Sequence, residues 1–160
     1  MTKTNTTPAT AADPTVAAAS AQFLTPVVLG LQALAVNGKQ AHWNVRGANF
    51  IAIHELLDTL VANAQAGADQ AAERIVALGL PVDARVSTIA GKTSTEVPAG
   101  FTQWEALIRN VISDMDAVIA DTQAAIDGLD EFDLTSQDVA IGIKETLEKD
   151  RWFLFAHLAE

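Results

Sequence analysis

Four stretches of this chain repeat apolar residues at helical spacing, and the breaks between them fall at glycine and proline. In the first, Leu24, Val27, Val28, Leu31, Leu34 and Ala35 recur three or four positions apart, with Ser20, Gln22, Thr25 and Gln32 interspersed. No charged residue lies between Val16 and Val36. The pattern predicts an amphipathic helix in a soluble core, not a membrane or signal segment, and no positive cluster or cleavage pattern precedes it. Asp13-Pro14 marks its start, a capping residue followed by proline at the first helical position. It is expected to reach about Asn44, with Pro26 and Gly30 as points of bending and Gly47 as its stop.

The second helix is predicted from about Asn49 to Leu78, closed by Gly79 and Pro81. Its apolar face is Phe50, Ile53, Leu57, Leu60, Val61, Ala64, Ala68, Ala71 and Ile75. Leu80 to Gly100 then forms a long connection in which Val86 to Ala90 makes one short helix. Thr102-Gln103-Trp104-Glu105 reads as a capping box for the third helix. Trp104, Leu107, Val111, Met115, Val118, Ile119 and Ile126 line one side of that helix, and Gly128 is expected to end it. Thr135 to Asp138 begins the fourth, with Val139, Ile143, Leu147, Leu154 and Leu158 as its stripe. The expected fold is therefore all-α: a four-helix bundle with a long crossover between its second and third helices. Residues 1–12, rich in Thr, Ala and Pro, read as a flexible tail, and residues 13–160 as one domain.

Composition narrows the function. Hydrophobic residues make up 49% of the 160, enough for a real core. There is no cysteine, so disulfides and thiolate metal sites are excluded. The formal net charge of −10 disfavours nucleic acid and attracts cations.

The chemistry concentrates on the second helix. His54 and Asp58 form one i,i+4 pair, and Asp69 and Glu73 another, on a face turned away from the apolar one. His54 and Asp69 are 15 positions apart, about 22 Å along a helix, so one helix cannot close both pairs on one metal. The positions mirror about a point between Asn63 and Ala64: 54 with 73, 58 with 69, 62 with 65, 51 with 76. An antiparallel copy across a two-fold axis there sets His54 opposite Glu73 and Asp58 opposite Asp69 of the partner. Two equivalent sites result, each built from both chains. A turn at Gly47 brings His42 back beside the same helix. Imidazole with several carboxylates and no sulfur suits Fe(II) or Mn(II). The plainer reading is a solvated charged face, with Glu73 paired to Arg74. His157, without carboxylates at useful spacing, reads as structural.

These residues also carry a family resemblance. His42, Trp43, Asn44, Val45, Arg46, Gly47, Phe50, His54, Glu55 and Asp58, followed by Asp69, Ala72, Glu73, Arg74, Leu78 and Gly79, resemble the signature of the Dps proteins, or mini-ferritins. The resemblance implies a ferritin-like bundle assembled into a hollow dodecamer. It implies a ferroxidase that oxidises Fe(II), preferably with hydrogen peroxide, stores the ferric product and protects against oxidative damage. It carries the metal ligands onto His42, His54 and Asp58 of one subunit and Asp69 and Glu73 of its two-fold partner. Trp43 lies beside the site in the family, where it shields the site or donates an electron; packing in the interior is the plainer expectation. Family members admit iron through acidic pores near the turn between the third and fourth long helices. Asp121, Asp127, Asp130, Glu131, Asp133 and Asp138 are the candidates, a solvated acidic turn being the alternative. A cytoplasmic location is expected.

DNA binding is not expected, because the tail has one lysine, Lys3, where DNA-binding members often have many. The competing functions are a metal-dependent hydrolase at the same carboxylate and histidine site, and a structural assembly that compacts DNA.

Overall fold

The computed structural model describes residues 10–159. Most of the tail expected over residues 1–12 lies outside them. Two long helices come first, α1 (Pro14–Asn44) and α2 (Phe50–Ala77), then a short α3 (Val86–Lys92), then two more long ones, α4 (Trp104–Leu129) and α5 (Leu134–Ala156). α1 packs on α2 and α4, and α5 packs on the same two. The consecutive long helices α2 and α4 are diagonal neighbours, so the connection between them crosses the bundle, with α3 lying against α1. The expected all-α bundle with a crossover is the observed fold.

The elements form for the reasons their sequence gives. Asp13 caps α1, its carboxylate accepting from the N–H of Thr15 at 2.8 Å and of Val16 at 3.3 Å. Gly47 turns the chain at a φ of 113°, and a side chain there would meet Gln103 and Trp104 at 2.7 Å. On α2 the expected apolar face is buried from Ile53 to Ile75. Phe50 is the exception: it is 36% exposed, with its ring 5.1 Å from that of His54. Leu24, Leu31, Leu34, Leu57, Leu60, Leu107, Met115 and Leu147 fill the centre of the bundle. Each large side chain buried in this way contributes about 1.5–3 kcal/mol. α1 is long and apolar enough to cross a membrane by length and composition. Here its apolar side chains are the core, packed on α2 and α4.

Three expectations need correction. Thr102 and Glu105 do not form a capping box. Thr102–Gln103 is a short strand, β2, paired in parallel with β1 (Val45–Arg46), with Val45 opposite Thr102. The helix begins only at Trp104, so Gln103 is its cap residue and Glu105 falls one position too early to reach back. Gly128 does not end α4 but lies inside it. It is glycine because Phe23 crosses there: an added Cβ would stand 2.3 Å from the ring. Finally, α5 is capped two residues earlier than Thr135 to Asp138 suggests, by Asp133 accepting from the Ser136 N–H at 3.1 Å.

Candidate metal centre

His42 stands in the last turn of α1 and His54 in the second turn of α2, and the Gly47 turn folds one onto the other. Their rings stack with centroids 3.6 Å apart and 23° between planes. His42 Nδ1 lies 2.8 Å from the carbonyl oxygen of His54, and His54 Nδ1 lies 3.0 Å from the carbonyl oxygen of His42. A carbonyl oxygen can only accept, so each Nδ1 carries a hydrogen and donates it. In the neutral rings the lone pairs are then on the two Nε2 atoms, the state in which imidazole binds a metal ion. The backbone thus fixes both tautomers.

One turn beyond His54, the Asp58 carboxylate is 3.3 Å from His42 Nδ1. Lys39, one turn before His42 on α1, donates a hydrogen bond to the same carboxylate oxygen. That bond holds the Asp58 carboxyl below the usual carboxylate range, aided by the neighbouring histidines and opposed by desolvation. The Asp58 side chain is still 51% exposed, so an ion arriving from solvent can compete with the lysine. Oxygen and nitrogen donors with two oriented imidazoles fit a borderline ferrous ion.

Asp69 and Glu73 are not brought to this cluster. They are exposed further along α2, and among the described residues no three donors of the metal-binding types converge within one chain. Between and beyond the two pairs, Ile51 is 61% exposed and Val76 58%, with Ala62 and Gln65 exposed as well. Among the described residues this α2 face is therefore unpartnered, apolar at its ends and small in its middle.

Trp43 requires a correction. It is 63% exposed and lines an open groove with Val36, Lys39, Asp58, Ala62 and Gln65, so it does not pack in the interior of the chain. His157 is the half-buried C-cap residue of α5.

Residues 28–160 match the Ferritin family, a ferritin-like domain. A solved Dps structure from Microbacterium arborescens, described as its high iron form, is 74% identical; the match covers 93% of this chain and 98% of that one with a TM-score of 0.92. The chain belongs to the Dps family. Among curated Dps relatives, the DNA protection during starvation protein of Mycolicibacterium smegmatis is 37% identical over 121 residues, 75% of this chain and 66% of that protein. Its counterpart in Agrobacterium fabrum is 35% identical over 129 residues, 79% of this chain and 80% of that protein. The chain thus spans just under two thirds of the first relative's length and four fifths of the second's.

Among the acidic candidates of this Dps chain, Asp121, Asp127, Asp130, Glu131 and Asp138 are exposed. Asp127 accepts from Gln123 at 2.7 Å and Asp130 from Gln137 at 3.3 Å. Asp133 is removed from the list of pore candidates. It is 8% exposed and bonded to Arg74, Ser20 and Ser136. Arg74 is therefore committed to Asp133, not to Glu73 as a solvated-face reading expects. Two features were missed in the sequence. Lys39 was within reach, since it precedes His42 by three on one helical face. The Arg74–Asp133 contact joins distant elements and left no local signal.

Proposed function

We propose that this chain is a subunit of an iron-oxidising, iron-storing mini-ferritin, with residues 13–160 forming one ferritin-like domain. Fe(II) is the substrate, oxidised at sites shared between two subunits and kept as ferric product, which protects against oxidative damage. His42, His54 and Asp58 hold the ion from one subunit, and Asp69 and Glu73 from the two-fold partner. The observation that carries this reading is the reciprocal Nδ1–carbonyl bonding of His42 and His54, which leaves the lone pairs on the two Nε2 atoms, with the Asp58 carboxylate 3.3 Å from His42 Nδ1. The exposed Asp69 and Glu73, set among exposed Ile51 and Val76, supply the complementary half. The high iron form of the Microbacterium arborescens protein, at 74% identity, supports iron as the substrate.

Hydrogen peroxide is the preferred oxidant in this reading. Two Fe(II) ions each give one electron to one peroxide; the O–O bond breaks, two protons are taken up and two waters form. Delivering both electrons avoids the hydroxyl radical released by one-electron reduction. The carboxylates favour the ferric product because it carries the higher charge. Trp43, open to the groove beside Asp58, is placed to take up a stray oxidising equivalent. The subunits close into a dodecameric shell, with iron passing through acidic openings near the α4–α5 turn. DNA binding forms no part of this function.

The test uses mixed chains. His54→Ala/Asp58→Ala protein and Asp69→Ala/Glu73→Ala protein should each oxidise little Fe(II), while the co-assembled mixture recovers part of the activity. No recovery in confirmed mixed particles refutes the shared site. Wild-type protein that retains no oxidised iron in a large particle after Fe(II) and peroxide refutes the function itself.

A further inference from the structure

Arg74 is the single lysine or arginine of α2, which otherwise carries four carboxylates. It directly follows Glu73. Nothing in α2 itself prevents its positive charge from reducing the hold of Glu73 on a cation. At the other half-site the comparable event is visible: Lys39 covers Asp58. At Glu73 the arginine is instead drawn away. Its Nη2 donates to Asp133 at 3.0 Å and its Nε to Ser136 Oγ at 2.9 Å. Asp133 is held in turn by Ser20 Oγ at 2.6 Å and Ser136 Oγ at 2.5 Å. The node draws on α1, α2, the α4–α5 turn and the start of α5, so the guanidinium is fixed on the side of α2 that faces the bundle.

We propose that Asp133 is a positioning residue for the iron site: it neutralises Arg74 and anchors it away from Glu73, leaving that carboxylate open to Fe(II). The proposal rests on the shared iron site described above. It gives one acid of the α4–α5 turn a role in affinity that a pore carboxylate does not have. A guanidinium released next to Glu73 repels an arriving divalent cation, an effect that weakens with ionic strength.

Anaerobic equilibrium binding to the assembled protein separates this role from a merely structural one, with Fe(II) and redox-inert Co(II) as probes. Asp133→Asn is expected to raise the half-saturating concentration of both ions about three- to ten-fold at low salt, with the gap narrowing as salt is added. Asp133→Asn/Arg74→Met, which removes the freed charge, is expected to return to within about two-fold of wild type. Particle size, read alongside, stays that of the shell. A double variant that binds as weakly as Asp133→Asn overturns the proposal, as does an Asp133→Asn protein that loses thermal stability but binds normally. Where Asp133→Asn does not assemble, Arg74→Met alone decides: binding at least as tight as wild type supports the proposal, and weaker binding overturns it. Wild-type protein that binds neither ion defeats the iron-site reading itself, whereas normal wild-type binding with unaltered variants defeats only the role of Asp133.

Discussion

Replacing Gly128 and Gly142 by alanine should have opposite effects on stability, although both glycines lie inside helices. In an exposed helix interior the exchange is favourable by about 0.5–1 kcal/mol, because glycine loses more backbone freedom on folding. Gly142 on α5 has nothing within 4 Å of an added Cβ, so the full gain applies. At Gly128 the added carbon would stand 2.3 Å from Phe23 Cε1, 2.4 Å from Cζ and 2.7 Å from Cδ1. Retreat of the Phe23 ring is restricted on one side by Phe132, with centroids 6.4 Å apart. Overpacking of this kind costs about 1–3 kcal/mol, which exceeds the helical gain and leaves a net loss near 1 kcal/mol. For a domain of this size that corresponds to about 2–4 °C in Tm, downward for Gly128→Ala and slightly less, upward, for Gly142→Ala. The assay is thermal unfolding at one fixed protein concentration, after confirming that both variants assemble alike. If Gly128→Ala stabilises as much as Gly142→Ala, Phe23 yields freely and the packing account of that glycine is wrong.

Lys39→Met should tighten anaerobic Fe(II) binding, since the ion no longer displaces an ammonium from Asp58; unchanged or weaker binding would show that the lysine does not compete. Burial pushes the Asp133 carboxyl up, but hydrogen bonds from Ser136 and Ser20 and the charge of Arg74 outweigh it, and the net shift is downward. A depressed folded value means that its stabilisation is complete above the unfolded value, near pH 4, and is lost as pH falls through the folded one. Unfolding midpoints of wild type and Asp133→Asn should therefore differ most above pH 5 and converge in stronger acid; a constant difference would sink the assignment.

The parts of this molecule that could be read in advance are those written within one helix or one turn. The buried face of α2 repeats every three or four residues, so Ile53 to Ile75 followed from spacing alone. The Asp13 cap and the Gly47 turn are equally local. Phe50, first in that periodic set, stays partly exposed because the helix end carries it to the rim beside His54. The misreadings share a different origin: each concerns a residue whose role is set by a partner far along the chain. Gly128 looked like a helix stop because glycine commonly is one, and only Phe23 from α1 makes it a crossing point. Thr102 looked like a cap until Val45 drew it into a strand pair.

The carboxylates show the same division, and it bears on function. Asp133 and Asp58 are both aspartates with a basic partner, and no property of the residue type separates them. Asp133 is surrounded by donors from α1, α2 and α5, so no lone pair is left free for a cation and its surroundings keep water away. Asp58 has one lysine and an open side toward solvent, so its partner can be exchanged. Fixed donors on every side make a carboxylate a structural anchor, whereas a single mobile donor at a solvent-facing groove leaves it available as a ligand. By that criterion the face of α2 holding Asp58, Asp69 and Glu73 is the one left open to a cation, whereas Asp133 is closed to it.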